Sequence, residues 1–422
     1  MELPKMLRIK QKLEAPFIEN VHNEVVSGIE SINLGSNIRE GQTVAIGCSS
    51  RGIENYAAIV KATVESLLKL NLKPFIFPAM GSHGAASSAG QQKVLENYGI
   101  SENAMSVPIK SSLEVVKIGE TEDQLSVYID KFASAADHIV LINRIKPHTE
   151  FDSDIESGLM KMMAIGLGKK IGATIYHKAI MVHGYSKVIK SVARKVLQSG
   201  KILFGVGVVE NGFSQSSQIG ILKSFELEVK EKELLLEAKR LTSRLPFEDV
   251  DVLIIDEMGK DISGTGFDTK VVGRILMPLV AKEPDTPRVK RIVVCNLTEN
   301  TEGNADGVGI ADFVTQRLVD KIDFNTLYVN AIAGCEPEHA KIPLTLKNDQ
   351  EAIEIAIGSL GMISQEKLKI IRIENTLRLG EVMVSEAYLN EISQREDLEI
   401  IAESRPMDFK TNGNLMAFAG IS

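Results

Sequence analysis

Apolar and polar positions along the first half of the chain switch between a period of two and a period near 3.6. Gln42–Gly47 (QTVAIG) and Pro74–Pro78 (PFIFP) read as buried strands, with further strands at Glu114–Ile118 and His138–Asn143. Between them, Tyr56–Leu72 reads as a helix with Val60, Val64 and Leu67 on one stripe and a Glu65–Lys69 pair outside. Ser88–Tyr98 is the next helix. Such alternation predicts βαβ units and a largely parallel sheet. The segment Glu226–Leu245 is a highly charged helix with a narrow stripe of Leu234, Ala238, Leu241 and Leu245. It reads either as a solvated surface helix or as a bridge between domains, because Pro246 ends it and a new αβ pattern begins. That pattern predicts strands at Asp251–Asp256, Arg291–Asn296 and Thr326–Asn330, and helices near Gly309–Val319 and Gln350–Leu360. The expected fold is α/β: two α/β domains with mainly parallel sheets, residues 1–245 and 246–422, and an active-site cleft between them.

Length agrees with two domains, since 422 residues exceed a single hydrophobic core. Charge excludes one class of partner. With 48 basic against 56 acidic residues the net charge is −8, and no basic face is concentrated anywhere, so nucleic acid is not expected. Cys48, Cys295 and Cys335 are far apart and form no CxxC pair, which fits a reduced cytoplasm. The opening MELPKMLRIKQKLEAPF has no apolar signal core, and the uncharged stretch Pro74–Gln92 is too rich in Gly, Ser and Gln to span a bilayer. A cytoplasmic protein without a membrane partner is expected.

In parallel sheets, function gathers in loops beyond the carboxyl ends of strands. Three such loops carry reactive side chains: Cys48-Ser49-Ser50-Arg51-Gly52, Gly81-Ser82-His83-Gly84-Ala85 and Arg144-Ile145-Lys146-Pro147-His148-Thr149. The third leads into ESGLMKMMAIGLG (residues 156–168) and then Tyr176-His177. Of seven histidines, three (His83, His148, His177) fall in or just beyond these loops; His22, His138, His183 and His339 look ordinary. Lys161 stands in an apolar, glycine-rich run. It either snorkels from a helix end or acts as a nucleophile or cofactor-linked amine. The glycines nearby match neither a dinucleotide fingerprint nor a Walker A loop. Two histidines without a carboxylate dyad suggest proton transfer on opposite faces of one carbon or oxygen. Acid–base catalysis supplies about 10²–10⁴-fold, roughly 3–5 kcal/mol, of the 8–23 kcal/mol enzymes provide. A cofactor would have to carry the harder step.

The series GSHG, KPHT, ESGLMKMMAIGLG and the following YH resembles the nickel-dependent lactate racemase family, most specifically over residues 40–200. The resemblance implies a racemase or epimerase that inverts C2 of a 2-hydroxy acid through a nickel-pincer nucleotide (pyridinium-3,5-bisthiocarboxylic acid mononucleotide nickel). It implies that Lys161 links the cofactor, His177 ligates nickel, His83 and His148 are the acid–base pair and Arg51 holds the substrate carboxylate. Each histidine would take the hydroxyl proton on one face while C2 passes a hydride to the pincer ring. Residues 1–245 would hold cofactor and catalytic groups, residues 246–422 would close over the substrate, and cofactor-biosynthesis enzymes would supply the group. Cys48 stands where lactate racemase has an Asp, and the stretch from His148 to Lys161 is a few residues longer. Val272, Gly273 and Arg274 replace an expected Tyr, Gln and Lys. Arg274 either reaches the pocket, favouring a dicarboxylate or sugar acid over lactate, or sits in a surface ion pair. Two other readings are carried: a Schiff-base enzyme with Lys161 as amine and His148 as base, and a non-catalytic cofactor-binding homologue.

Overall fold

The computed structural model describes residues 3–35, 38–81, 83, 84, 87–278 and 280–418. The chain divides into two compact units, Ala15–Thr242 and a second made of Met1–Glu14 with Ser243–Ser422. Residues 1–14 thus lie with the second unit, where the sequence reading had placed them with the first. The reason is pairing: Met6–Gln11 is a strand between Glu381–Ser385 and Leu398–Arg405, antiparallel to both.

The first unit holds a five-stranded sheet in the order Lys73–Pro78, Thr43–Cys48, His138–Arg144, Ile202–Glu210, Ser216–Lys223. The first four strands are parallel and the fifth is antiparallel to the fourth. Strand side chains alternate between two cores, as a period of two requires. Val44, Ile46, Ile76, Val140 and Ile142 face one, which buries Ile59, Val64 and Leu67 of the helix Tyr56–Lys69. Ala45, Phe75, Phe77 and Leu141 face the other, with Leu159, Met163, Tyr176, Val192 and Leu234. Helices therefore cover both faces, and the carboxyl edge is left to loops.

The charged helix spans Leu227–Leu241 and covers this sheet; it is not a bridge. Leu227, Leu234, Leu235, Ala238 and Leu241 are buried against the strands Ile202–Glu210 and Ser216–Lys223. Leu234 fills space that glycines leave open. A Cβ at Gly220 would lie 2.8 Å from its Cδ1, and one at Gly207 3.3 Å.

The second unit contains an eight-stranded sheet. Leu344–Leu346, Phe313–Thr315, Arg288–Val294, Asp249–Ile255 and Ile370–Ile373 run parallel, and Glu381–Ser385, Met6–Gln11 and Leu398–Arg405 add antiparallel pairs. Two sequence expectations fail here. Thr326–Asn330 lies inside a helix, Phe324–Gly334. Asp323 caps it by accepting from the Asn325 and Thr326 amides, and Leu327 and Ala331 bury one face, so capping and a helical apolar period override β-branched composition. The expected helix Gly309–Val319 is a 3₁₀ turn, the buried strand Phe313–Thr315 and the short helix Gln316–Val319, which Thr315 caps. Among the described residues no helix is long and apolar enough to cross a membrane.

Leu234→Ala should destabilise the protein by about 2–5 kcal/mol, because glycine-lined strands cannot collapse onto the vacated space. In denaturant titration the midpoint should fall with the slope unchanged; an unaltered midpoint would refute this packing role.

Candidate active site

Three parallel strands end within two residues of one line. Cys48 pairs with Pro78 on one side and Ile142 on the other, so the loops after all three leave the same sheet edge. These loops carry Arg51, His83 and His148.

The loop after Thr43–Cys48 is braced from beneath. The Ser49 amide donates to Tyr56 Oη at 2.6 Å, and Tyr98 Oη donates to the Ser50 carbonyl at 3.2 Å. Further on, Glu210 accepts from the Glu54 amide at 2.8 Å and pairs with Arg144. Arg51 is half-buried in this frame. Cys48 is fully buried, and burial pushes its thiol up to about 12, so it stays protonated and supplies no ligand.

After His138–Arg144 the chain turns back on itself. Lys146 and Ser157 form an antiparallel bridge through amide–carbonyl bonds of 2.9 and 3.2 Å, and Asn143 Nδ2 donates to the Gly158 carbonyl at 2.7 Å. This fold-back brings the KPHT loop against the ESGLMK turn. Lys161 Nζ lies 2.6 Å from His148 Nε2, although the two residues are 13 apart in sequence. The Glu150 amide donates to His148 Nδ1 at 3.1 Å. An amide can only donate, so the network assigns the imidazole proton to Nε2, pointing at Lys161. Phe151 and Tyr185 stack 4.6 Å apart and flank the His148 ring at 5.1 and 5.0 Å. The imidazole is thus fixed by hydrogen bonding and by an aromatic wall.

Two buried carboxyl groups hold this turn. Glu156 accepts from the His148 and Ser153 amides and pairs with Lys239. Glu231 lies under the turn, its Oε2 accepting from the Met160 amide at 2.9 Å. A Cβ at Gly158 would stand 2.2 Å from Glu231 Oε1, so a larger residue there would displace that carboxyl group. Burial raises the Glu231 carboxyl to about 8, against the lowering pull of the Met160 and Leu159 amides.

After Lys161 the helix widens into a π-turn, Met162–Gly166, a feature enriched at functional sites. The helix Lys169–His183 then carries His177, half-buried, one turn beyond Ala173 on the same face. The His83 loop packs onto both segments. A Cβ at Gly81 would lie 3.2 Å from Ala173 Cβ and 3.3 Å from Ile165 Cγ2, and one at Gly166 would lie 2.7 Å from the Ala79 carbonyl. His83 itself is exposed, and Gly84 has φ +63° with the amide of Gln91 close behind it, a position that excludes a side chain. Ser82 and Ala85 lie outside the described residues.

His148 and Lys161 are therefore in contact, and the His83 loop packs on the face of the helix that bears His177. Arg51 stands on the middle loop of the same edge. In the second unit, Gly273 and Arg274 serve the fold. Gly273 has φ +69° and its Cα faces the Pro287 carbonyl. The Arg274 guanidinium pairs with Asp312 at 2.9 Å and donates to the Ile310 carbonyl at 2.9 Å, so the ion-pair alternative holds and the argument for a second substrate-binding cation falls. His339 is buried between Glu336 and the Ile275 carbonyl. Sequence reasoning missed Gln91, Asp130, Lys169 and Glu231. The one signal available was the second lysine of the apolar run, GLGKK.

A carboxyl group raised from 4.5 to about 8 keeps its proton in the folded state while the unfolded chain releases it. Glu231 should therefore erode stability as pH rises from about 4.5 to 8. Glu231→Gln should flatten this decline, giving a higher Tm than wild type at pH 8.5 and a similar one at pH 4.5. Parallel pH profiles of Tm would show that Glu231 is ionised in its pocket.

Comparisons with known proteins bear on the fold of the chain. Residues 6–188 match the family model described as the lactate racemase N-terminal domain. The structure of the lactate racemase apoprotein from Thermoanaerobacterium thermosaccharolyticum superposes with a TM-score of 0.55 and 13% sequence identity, covering 88% of this chain and 98% of that one. At that identity the likeness concerns the fold. No curated protein sequence matches the chain. Over residues 6–188 this chain is similar to the lactate racemase N-terminal domain family.

Proposed function

We propose that this protein is a cytoplasmic racemase or epimerase of a 2-hydroxy acid that works with a nickel-pincer nucleotide. The observation that carries the reading is the 2.6 Å contact between Lys161 and His148, on the sheet edge that also presents Arg51 and the His83 loop.

The residues present fit the cofactor. Lys161 offers a primary amine held 2.6 Å from His148 Nε2, a nucleophile of the kind that covalent attachment needs. His177 offers an imidazole, a ligand suited to nickel, on the helix face toward the His83 loop. Lys161 would attach the nucleotide and His177 would ligate the metal. When bound, the group supplies a hydride acceptor for C2, the chemistry that no side chain here can provide.

The protein's own residues do the rest. Arg51 binds the carboxylate through its planar fork. His83 and His148 address the substrate oxygen on opposite faces: one would take the hydroxyl proton as C2 is oxidised, and the other would return a proton when the flat keto acid is reduced on its other face. The Phe151–Tyr185 wall excludes water from the His148 side and fixes its ring. Once its amine is engaged, Lys161 would no longer hold the His148 ring, and the Nε2–H could return a proton to the substrate oxygen.

The test is protein co-produced with the cofactor-biosynthesis enzymes, followed by intact mass, nickel content and inversion at C2 for lactate, malate, 2-hydroxyglutarate and gluconate. Wild type should carry a covalent adduct that Lys161→Ala lacks. His177→Ala should keep the nucleotide and lose nickel. His83→Ala and His148→Ala should each lose about 10²–10⁴-fold of turnover in both directions, since a full inversion uses both. Borohydride-dependent trapping of a keto acid on Lys161, without any adduct beforehand, would instead favour a Schiff-base enzyme. An adduct with no inversion of any 2-hydroxy acid would favour a cofactor-binding homologue.

A further inference from the structure

His83 is on an exposed loop, yet an acid–base group must be held to within a fraction of an ångström. What holds it lies underneath. Gln91, fully buried in the helix Ser88–Asn97, directs its Nε2 at three carbonyls of the loop: Met80 at 3.2 Å, Gly81 at 3.1 Å and His83 at 3.4 Å. An amide side chain can present either its oxygen or its nitrogen, and only the nitrogen serves here.

Lys169 decides that orientation. Its Nζ, a donor, lies 3.0 Å from Gln91 Oε1, so the oxygen faces the lysine and the nitrogen faces the loop. Lys169 Nζ also donates to the Pro78 carbonyl, at the end of the strand that leads into the loop, and lies 3.3 Å from Asp130. The side chains of Lys169 and Asp130 are wholly buried. Asp130 is fixed in turn, accepting from the Phe132 and Ala133 amides at 2.8 and 3.1 Å.

Lys169 bears two penalties at one position. It is a fully buried cation, and its backbone is left-handed, with φ +53° on a residue that has a side chain. A hydrophobic residue here would pack as well without desolvating a charge. What a hydrophobic residue cannot do is donate to Gln91 and to Pro78 at once, and strain of this kind clusters at functional sites.

We infer that Asp130, Lys169 and Gln91 form a buried clamp that positions the His83 loop for proton transfer. This rests on the assignment of His83 as an acid–base residue. All three act through His83 and are positioning residues, not catalytic ones.

The test uses Gln91→Met and Gln91→Glu, neither of which offers the loop an amide donor. In protein without cofactor, hydrogen exchange over residues 79–84 should quicken about tenfold or more while residues 159–168 stay unchanged, as for a local opening. In loaded protein the adduct on Lys161 should be unaffected, kcat should fall about tenfold or more and KM should stay within about twofold. In a His83→Ala background Gln91→Met should add less than about twofold, the mark of two residues acting as one. Unchanged loop exchange would overturn the clamp, and so would quickened exchange with normal kcat or a full additional loss in the His83→Ala background. If the variants fail to fold, nitrogen-15 spectra of wild type decide: Gln91 Nε2 protons exchanging as fast as those of free glutamine would overturn it. Wild-type loaded protein that inverts no 2-hydroxy acid would sink the functional reading, while the loop exchange still decides whether the clamp exists.

Discussion

Near-level termination of three parallel strands is the constraint on which the site depends. Parallel pairing keeps neighbouring residues in step, and the pairs Cys48–Pro78 and Cys48–Ile142 bring three strand ends within two residues of one line. Each strand must then release its chain into a loop at the same edge, because helices already cover both faces. Three short motifs, far apart in sequence, are so delivered to one place without any one loop reaching for another. The Lys146–Ser157 bridge extends the same principle by folding the third loop back, which is what sets Lys161 against His148.

Beneath that edge the protein holds its loops with buried ionisable groups. Glu156 with Lys239 holds the amide of His148, Glu231 holds the Lys161 turn, and Lys169 with Asp130 holds the His83 loop through Gln91. Apolar packing alone would stabilise the unit as well, since buried ionic groups rarely add net stability over hydrophobic ones. What they add is direction. A carboxylate that accepts two amides, or a lysine that selects one face of a glutamine, leaves a loop fewer conformations than van der Waals contact does. Cys48 shows the contrast: equally buried, with a thiol pushed up to about 12, it offers neither charge nor ligand and serves as core.

The sequence made the architecture of the first unit readable because strands buried on both faces are short apolar runs and the helices between them are amphipathic. Thr43–Cys48, Lys73–Pro78 and His138–Arg144 lie within a residue of their expected bounds. Reading failed where local composition and tertiary demand diverge. Thr326–Asn330 has a strand's residues but a helix's cap, and Phe313–Thr315 is too short to show a period. The antiparallel end of the larger sheet was hidden for another reason: it recruits Met6–Gln11 from across the whole chain, and no local pattern records a pairing at that distance. Motif spacing pointed to His148 and Lys161 separately, but not to their contact. Gln91 and Lys169 gave almost no signal, since a glutamine in a polar helix and a lysine beside a lysine are ordinary until burial is known.

The spacing between Lys161 and His177 shows why a motif is not a geometry. Were Leu159–His183 one regular helix, 16 residues would place these two about 24 Å apart along the axis and about 160° apart around it. One site could not use both. The π-turn Met162–Gly166 and the left-handed backbone of Lys169 interrupt that helix between them. The new helix meets the His83 loop at Ala173, with His177 one turn further along the same face. The strained residue that interrupts the helix is also the cation that orients Gln91. One backbone conformation thus serves two ends: it interrupts the helix between Lys161 and His177, and it seats a lysine beneath the loop that carries His83.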